Sequence, residues 1–258
     1  DIDLFVQPAA SAGDLPNVLI LLDNTANWNT PFTAEIDALV STFNNLPLGP
    51  NGEPKFRVGL MLFTETGNPN NNVDGGYVRA AVRNLDADYK TKLGNLLNSL
   101  DRIRDQSNGG KAGWTIAEAY YYYDGAPPRA GNFKVKADYF GNTSGNAASN
   151  AVYALPGNAL PAGDPNPLAG TPYNSPILPD SCAPNYVVYI SNGKPSDNQN
   201  DMRNARTALG EAATAEGISG ATEVIPVAPA ASNDNPVDEW ARFMKRSPRK
   251  ITTYVVEV

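Results

Sequence analysis

The sequence predicts an α/β fold: a three-layer, mostly parallel sheet with one antiparallel strand and helices on both faces, carrying a long irregular insertion. Three observations lead there. The runs "NVLILL" and "NYVVYI" are continuous, apolar and of strand length, the pattern of strands buried on both faces. Segments with apolar residues at helical spacing alternate with such runs. Two further runs, 55–66 and 77–85, are separated by "GNPNNNVDGG", which reads as a hairpin turn and supplies the antiparallel strand.

Along the chain, residues 1–16 form an N-terminal arm in which Pro8 and Pro16 limit regular structure. The first strand, 17–23, runs into the polar turn "DNTANW". Ile36, Leu39, Val40 and Phe43 then mark a helix over 33–46, which "LPLGPNGEP" breaks. After the hairpin, Leu93, Leu96, Leu97 and Leu100 mark a second helix. "SNGGKAGWT" (107–115) reads as a glycine-rich loop opening the helix "IAEAYYYYDG".

Residues 126–185 are rich in Pro, Gly, Asn, Ser and Ala without a clear period, and read as an insertion of little regular structure apart from "FKVKADYF". Beyond it follow a strand ("NYVVYISNG"), a helix over 198–217, a strand ("TEVIPVAPA"), a helix ("PVDEWARFMKRS") and a last strand ("KITTYVVEV"). In such sheets ligands bind at the carboxyl ends of the strands. The turns after the first strand and after "NYVVYI", and the loop 107–115, are therefore expected to share one face.

Composition narrows the function classes. With 258 residues, 41% apolar and 18% charged, the chain is long enough to bury a sizeable core. A net charge of −7 argues against nucleic acid as a partner, because phosphate contacts need clustered Lys and Arg. The chain contains no histidine, which removes Ser-His and Cys-His catalysis, the usual zinc sites and the commonest general base. No nucleophile elbow and no pattern-placed pair of carboxylates replaces them. Cys182 is the one cysteine, read either as a buried small hydrophobe or as the partner of a cysteine elsewhere in a longer protein. No run of 18 apolar residues would span a membrane. The amino end, without Met or an apolar leader, reads as a mature secreted product, although a trimmed chain would look the same.

Several motifs have plain structural readings. Asn70, Asn72, Asp74 and Gly75 have the opening spacing of a calcium loop, but its twelfth position is Ala81, inside a strand; a turn explains them better. Asp197 and Asp201 read as helix caps. "SNGGKAG" lacks the phosphate-loop pattern. Tyr120 to Tyr123 divide between core and surface, and Trp28 is either a lid on the "DNTANW" turn or an exposed anchor. "NTS" at 142–144 fits a glycosylation acceptor only in a eukaryotic source.

The order strand–"DNTAN"–helix, hairpin, helix, "SNGGKAG"–helix, "VVYISNGKP" resembles a von Willebrand factor A domain. More narrowly, "PNVLILLDNTANW", "FRVGLMLFTET", the helix start after "GGKAGWT" and "NYVVYISNGKPSDN" are similar to the amino-terminal region of PilY/PilC proteins of type IV pili. The resemblance spans residues 16–258. It implies a doubly wound, Rossmann-like fold over 17–258, lacking the usual closing helix and so part of a longer protein. It also implies a metal-ion-dependent adhesion site built by three loops, with Asp-x-Ser-x-Ser, a Thr and an Asp.

Carried over position by position, the first loop supplies Asp23, Thr25 and Asn27, an amide standing for the second hydroxyl. In the second loop Trp114 falls at the threonine position, with Thr115 one residue later. In the third, Asn192 stands where the family has aspartate. The expected site is thus degenerate, with one fixed negative charge where the family has two. It holds either no ion or a weakly bound Mg²⁺ or Ca²⁺, and Lys111 or Lys194 could replace the ion beside Asp23. Trp28 and Trp114 are candidate contact residues. The implied function is non-catalytic: a secreted, cell-surface adhesin or assembly protein at the pilus tip, acting through contacts with other pilus or surface proteins and with host or surface ligands. The alternative is a structural subunit of a surface filament that uses the domain for packing.

Overall fold

The computed structural model describes residues 14–25, 30–63, 76–100, 111–129, 172–191, 193–226 and 235–257. Five strands, β1 (Asn17–Leu22), β2 (Arg57–Leu62), β3 (Tyr77–Asn84), β4 (Asn185–Ser191) and β5 (Ile251–Glu257), form one sheet in the order β3-β2-β1-β4-β5. The β2/β3 pair is antiparallel and the other pairs are parallel, as the hairpin and the apolar runs predict. Among the described residues, five helices cover it: α1 (Thr30–Asn45), α2 (Ala87–Asn98), α3 (Ala112–Asp124), α4 (Gln199–Ala215) and α5 (Val237–Arg246).

The two-residue alternation of the strands divides the core. Leu19, Leu21, Met61, Val187 and Tyr189 face α3, α4 and α5, where they join Trp240 and Phe243. Ile20, Leu22, Val58, Leu60, Leu62 and Ile190 face α1 and α2, meeting Phe32, Ile36, Tyr89 and Leu93. Burial on both faces is why these strands read as unbroken apolar runs. Register is set at the amino ends, where Asn17 pairs with Asn185: Asn17 Nδ2 donates to Asn185 Oδ1 at 2.8 Å, and Arg57 Nη1 donates to Asn17 Oδ1 at 2.6 Å. Tyr123, on α3, donates its hydroxyl to the Tyr186 carbonyl at 2.8 Å and locks the helix to the same end. Three of the four consecutive tyrosines, Tyr120, Tyr122 and Tyr123, are core residues.

Two expectations change. "TEVIPVAPA" is not a strand where it is described: 222–226 is irregular and 227–230 lies outside the described residues. Its backbone is satisfied by α5 instead of a ladder. The Ile225 N–H donates to Glu239 Oε1 at 2.9 Å, Arg242 Nη2 donates to the Glu223 carbonyl at 2.5 Å, and Pro226 has no N–H to give. The place beside β4 belongs to β5, the outer strand, which leaves Tyr254, Val255 and Val256 exposed. Cys182 is exposed, which excludes the buried reading.

Of the expected insertion, 126–129 and 172–185 are described. The chain leaves and returns beside itself, since the Tyr173 N–H donates to the Ala126 carbonyl at 3.1 Å. Tyr173 Oη donates to the buried Glu118 Oε1 at 2.6 Å, and the Arg129 N–H donates to Glu118 Oε2 at 3.1 Å. Burial raises the Tyr173 pKa well above its ordinary value, with the Glu118 charge adding to the effect.

Candidate functional site

The carboxyl end of β1 delivers Asp23, 5% exposed, to one edge of the sheet. Its N–H donates to the Ile190 carbonyl at 3.1 Å, so the strand pairing runs one residue past β1. Asp23 Oδ1 accepts the Thr25 N–H at 3.0 Å, an Asx-type turn that reverses the chain. Asn24, which the sequence reading passed over, is buried, and its Oδ1 accepts the Phe63 N–H at 2.8 Å, tying the first loop to the end of β2. Thr25 is half-buried, and Asn27, Trp28 and Asn192 lie outside the described residues.

The second loop differs from its expected form. The helix begins at Ala112, so Trp114 and Thr115 belong to the first turn of α3 rather than to a glycine loop. Trp114, expected as a contact residue, packs in the core beneath α3 and leaves 7% of its surface exposed. Thr115 is wholly buried, and its hydroxyl has no hydrogen-bond partner among the described residues.

A cap from far along the chain explains the early helix start. Asp197 accepts the N–H groups of Ala112 at 2.9 Å and Gly113 at 2.8 Å, at the end of α3 where unpaired donors and the helix dipole favour an anion. Asp197 is a cap, as read from the sequence, but of α3. The adjacent helix α4 is capped by Asn198, whose side chain accepts the Asp201 N–H at 2.9 Å. Burial raises the Asp197 pKa, and the Gly113 and Ala112 N–H groups pull it back.

The ion pair seen at Lys111 is with Asp201, both buried, and Asp201 Oδ2 also accepts Asn198 Nδ2 at 2.6 Å. Lys194, the other expected counter-charge, is exposed. The three loop ends therefore share one face of the sheet, as expected: Asp197 and the Lys111–Asp201 pair fasten the start of α3 to the third loop and α4, and Asn24 fastens the first loop to the end of β2.

The charges on this face act on one another. Tyr189, buried on β4, has its pKa raised by burial first and then by the charges of Asp23 and Asp197. Glu35, in the second turn of α1 and 7% exposed, has its pKa raised to about 7, by burial first and then by the Asp23 charge. Nothing in the sequence marked Glu35; it is a single acidic position on a helix read for its apolar stripe. Oxygen donors dominate the face, which suits hard cations such as Mg²⁺ and Ca²⁺. Among the described residues there is no cluster of three or more His, Cys, Asp or Glu able to hold a metal.

No protein-family model matches this chain, and no curated protein matches it. Among the described residues, no helix is long and apolar enough to cross a membrane.

Proposed function

We propose that the chain is a von Willebrand factor A-like domain serving as a non-catalytic binding module: an extracellular adhesin or assembly protein of the PilY/PilC kind, at the tip of a type IV pilus. The doubly wound order with β1 central and the antiparallel β3 at one edge support the fold assignment. The observation that carries the functional reading is the fastening of three loops on one face: Asn24 to Phe63, Asp197 to the start of α3, and Lys111 to Asp201. Loops held by a rigid scaffold are where recognition sits, and preorganised loops lose less entropy on binding a partner. The absence of histidine removes the commonest general base. Bound Mg²⁺ or Ca²⁺ would supply a coordination site for an acidic group of a partner, with Asp23, Thr25 and Thr115 on the protein side.

Deleting the gene is expected to impair piliation or adhesion, and complementation should restore it. A complementing copy carrying Lys194→Glu on the exposed third loop should restore expression but bind partners less well. Normal piliation and normal adhesion in the deletion strain would overturn the reading.

A second reading, a packing subunit of a surface filament, is favoured by one feature. Among the described residues no strand pairs with the outer side of β5, which exposes Tyr254, Val255 and Val256, the kind of edge that pairs with another chain. Concentration-dependent assembly abolished by Val255→Lys would support it; a monomer at all concentrations would remove it.

A further inference from the structure

We propose that the outward face of α4, with the third loop that leads into it, is a docking surface for an acidic segment of a partner protein, whose carboxylates Lys194 and Arg203 receive. This rests on the reading of the carboxyl-end face as the recognition face, and adds the chemistry of what is recognised there.

Burial sorts the charges of this stretch by sign. The charged residues of 193–207 are Lys194, Asp197, Asp201, Arg203 and Arg206. Both acids are buried and turned inward: Asp197 accepts the Ala112 and Gly113 N–H groups, and Asp201 accepts Lys111 and Asn198. Arg206 is half-buried and faces Glu239 at 3.7 Å. Lys194 and Arg203 are exposed, and neither is in an ion pair among the described residues. A chain with 27 acidic and 20 basic residues thus presents only cations outward at this place.

The helix supplies the surface around them. Asn200, Arg203, Asn204 and Thr207 are exposed at helical spacing, while Met202, Ala205, Ala208 and Leu209 are buried beneath. Asn200 Oδ1 accepts Arg203 Nη2 at 2.9 Å, which steadies the guanidinium on the helix and leaves it donors for a carboxylate. The exposed amides of Asn200 and Asn204 can both give and accept hydrogen bonds, as the peptide groups of an extended segment require. The stretch has no aromatic ring on which a sugar would stack, and no exposed large apolar side chain to anchor an apolar partner. The acidity of the chain as a whole repels an acidic partner from other surfaces and so directs it to this one.

The test is fluorescence anisotropy of a labelled Glu-rich peptide against the purified chain over a range of salt concentrations, with dextran sulfate and a Lys-rich peptide as the other probes. The wild-type chain should bind the Glu-rich peptide, lose affinity as salt rises, and ignore the Lys-rich one. Arg203→Glu and Lys194→Glu, both at exposed positions, should melt like the wild type and bind about fivefold more weakly each. Arg203→Lys, which keeps the charge without the planar fork, should fall between. Lys55→Glu makes the same change of charge at an exposed position before β2, at the other end of the sheet, and should leave affinity unchanged. The proposal is overturned if the wild-type chain does not bind the Glu-rich peptide, or if Lys55→Glu weakens binding as much as Arg203→Glu. Preference for dextran sulfate over the peptide would overturn it too, and assign the surface to a sulfated glycan. The measurement involves no pilus, so it fails separately from the reading of the chain as a pilus protein, which the deletion strain tests.

Discussion

The Asp197 carboxylate accepts the backbone N–H of Gly113 at 2.8 Å, across 84 positions of sequence. This bond makes the third loop the cap of the helix that follows the second. Asp197→Ala would leave two buried N–H groups at the start of α3 without an acceptor, a loss of about 2 kcal/mol. For a chain of this size that lowers the melting temperature by about 4–8 °C. Asp197→Asn, which keeps one acceptor oxygen, should lose less. Gly113→Ala tests the same contact from the other side: an added Cβ would come within 3.3 Å of Asp197 Oδ2 and 3.2 Å of Ala205 Cβ. Melting curves of the three variants check the order; an unperturbed Asp197→Ala would mean that the cap carries no load.

The buried pair Lys111–Asp201 should respond unequally to single and double replacement. Removing one partner leaves a buried charge uncompensated, at about 3–5 kcal/mol. Lys111→Met with Asp201→Leu removes both charges and should recover most of that loss, apart from the contact Asn198 makes with Asp201. A double-mutant cycle in denaturant measures the coupling. Additive losses would show that the two side chains do not support each other.

The pH dependence follows from Glu35. Its pKa rises from 4.5 to about 7 in the folded chain, by burial and then by the Asp23 charge. Between those values the folded state binds more protons than the unfolded state, so this group makes stability fall as pH rises from about 4.5 to 7. The contribution is favourable below the unfolded value and is lost as pH climbs through the folded one. Denaturant midpoints at pH 5, 6 and 7, with chelator present, should fall along that series, and Glu35→Gln should flatten the fall. A wild-type midpoint rising steadily across the same range, with Glu35→Gln parallel to it, would contradict the assignment.

The sequence and the structure part at particular residues. β1 and β4 are legible because burial on both faces forces uninterrupted apolar runs, and Asp23 is legible because it ends one of them. Asp197 reads as a cap, but sequence supplies only local partners for a cap, and its partner helix lies 84 and 85 positions away. For the same reason "GKAGWT" looks like a loop: its helix start depends on an acceptor that no local pattern contains. Residues 222–226 carry the composition of a strand, yet Glu239 takes the Ile225 N–H and Arg242 the Glu223 carbonyl, groups that a ladder would need. Glu35 is silent in the sequence, because helical periodicity identifies the apolar face and says nothing about which polar residue at its margin meets a strand end.

The two stems of the insertion should hold the fold without what lies between them. The Tyr173 N–H meets the Ala126 carbonyl at 3.1 Å, Ser175 Oγ donates to the Tyr123 carbonyl at 2.6 Å, and Glu118 receives both Tyr173 and Arg129. Because residues 126 and 173 already touch, a linker of about eight residues can join 129 to 172, at roughly 3.3 Å of reach per residue. Replacing 130–171 with such a Gly/Ser linker is expected to leave the melting temperature within a few degrees, since loop-closure entropy changes slowly with length. Tyr173→Phe in that shortened chain should cost about 1–3 kcal/mol, because Glu118 is fully buried and loses its hydroxyl donor. Circular dichroism melts of the two proteins decide it. A shortened chain that fails to fold while the full chain melts cooperatively would show that residues 130–171 contribute to the core, whereas cooperative melting of both, with loss of partner binding only in the shortened one, would place recognition in the excised segment.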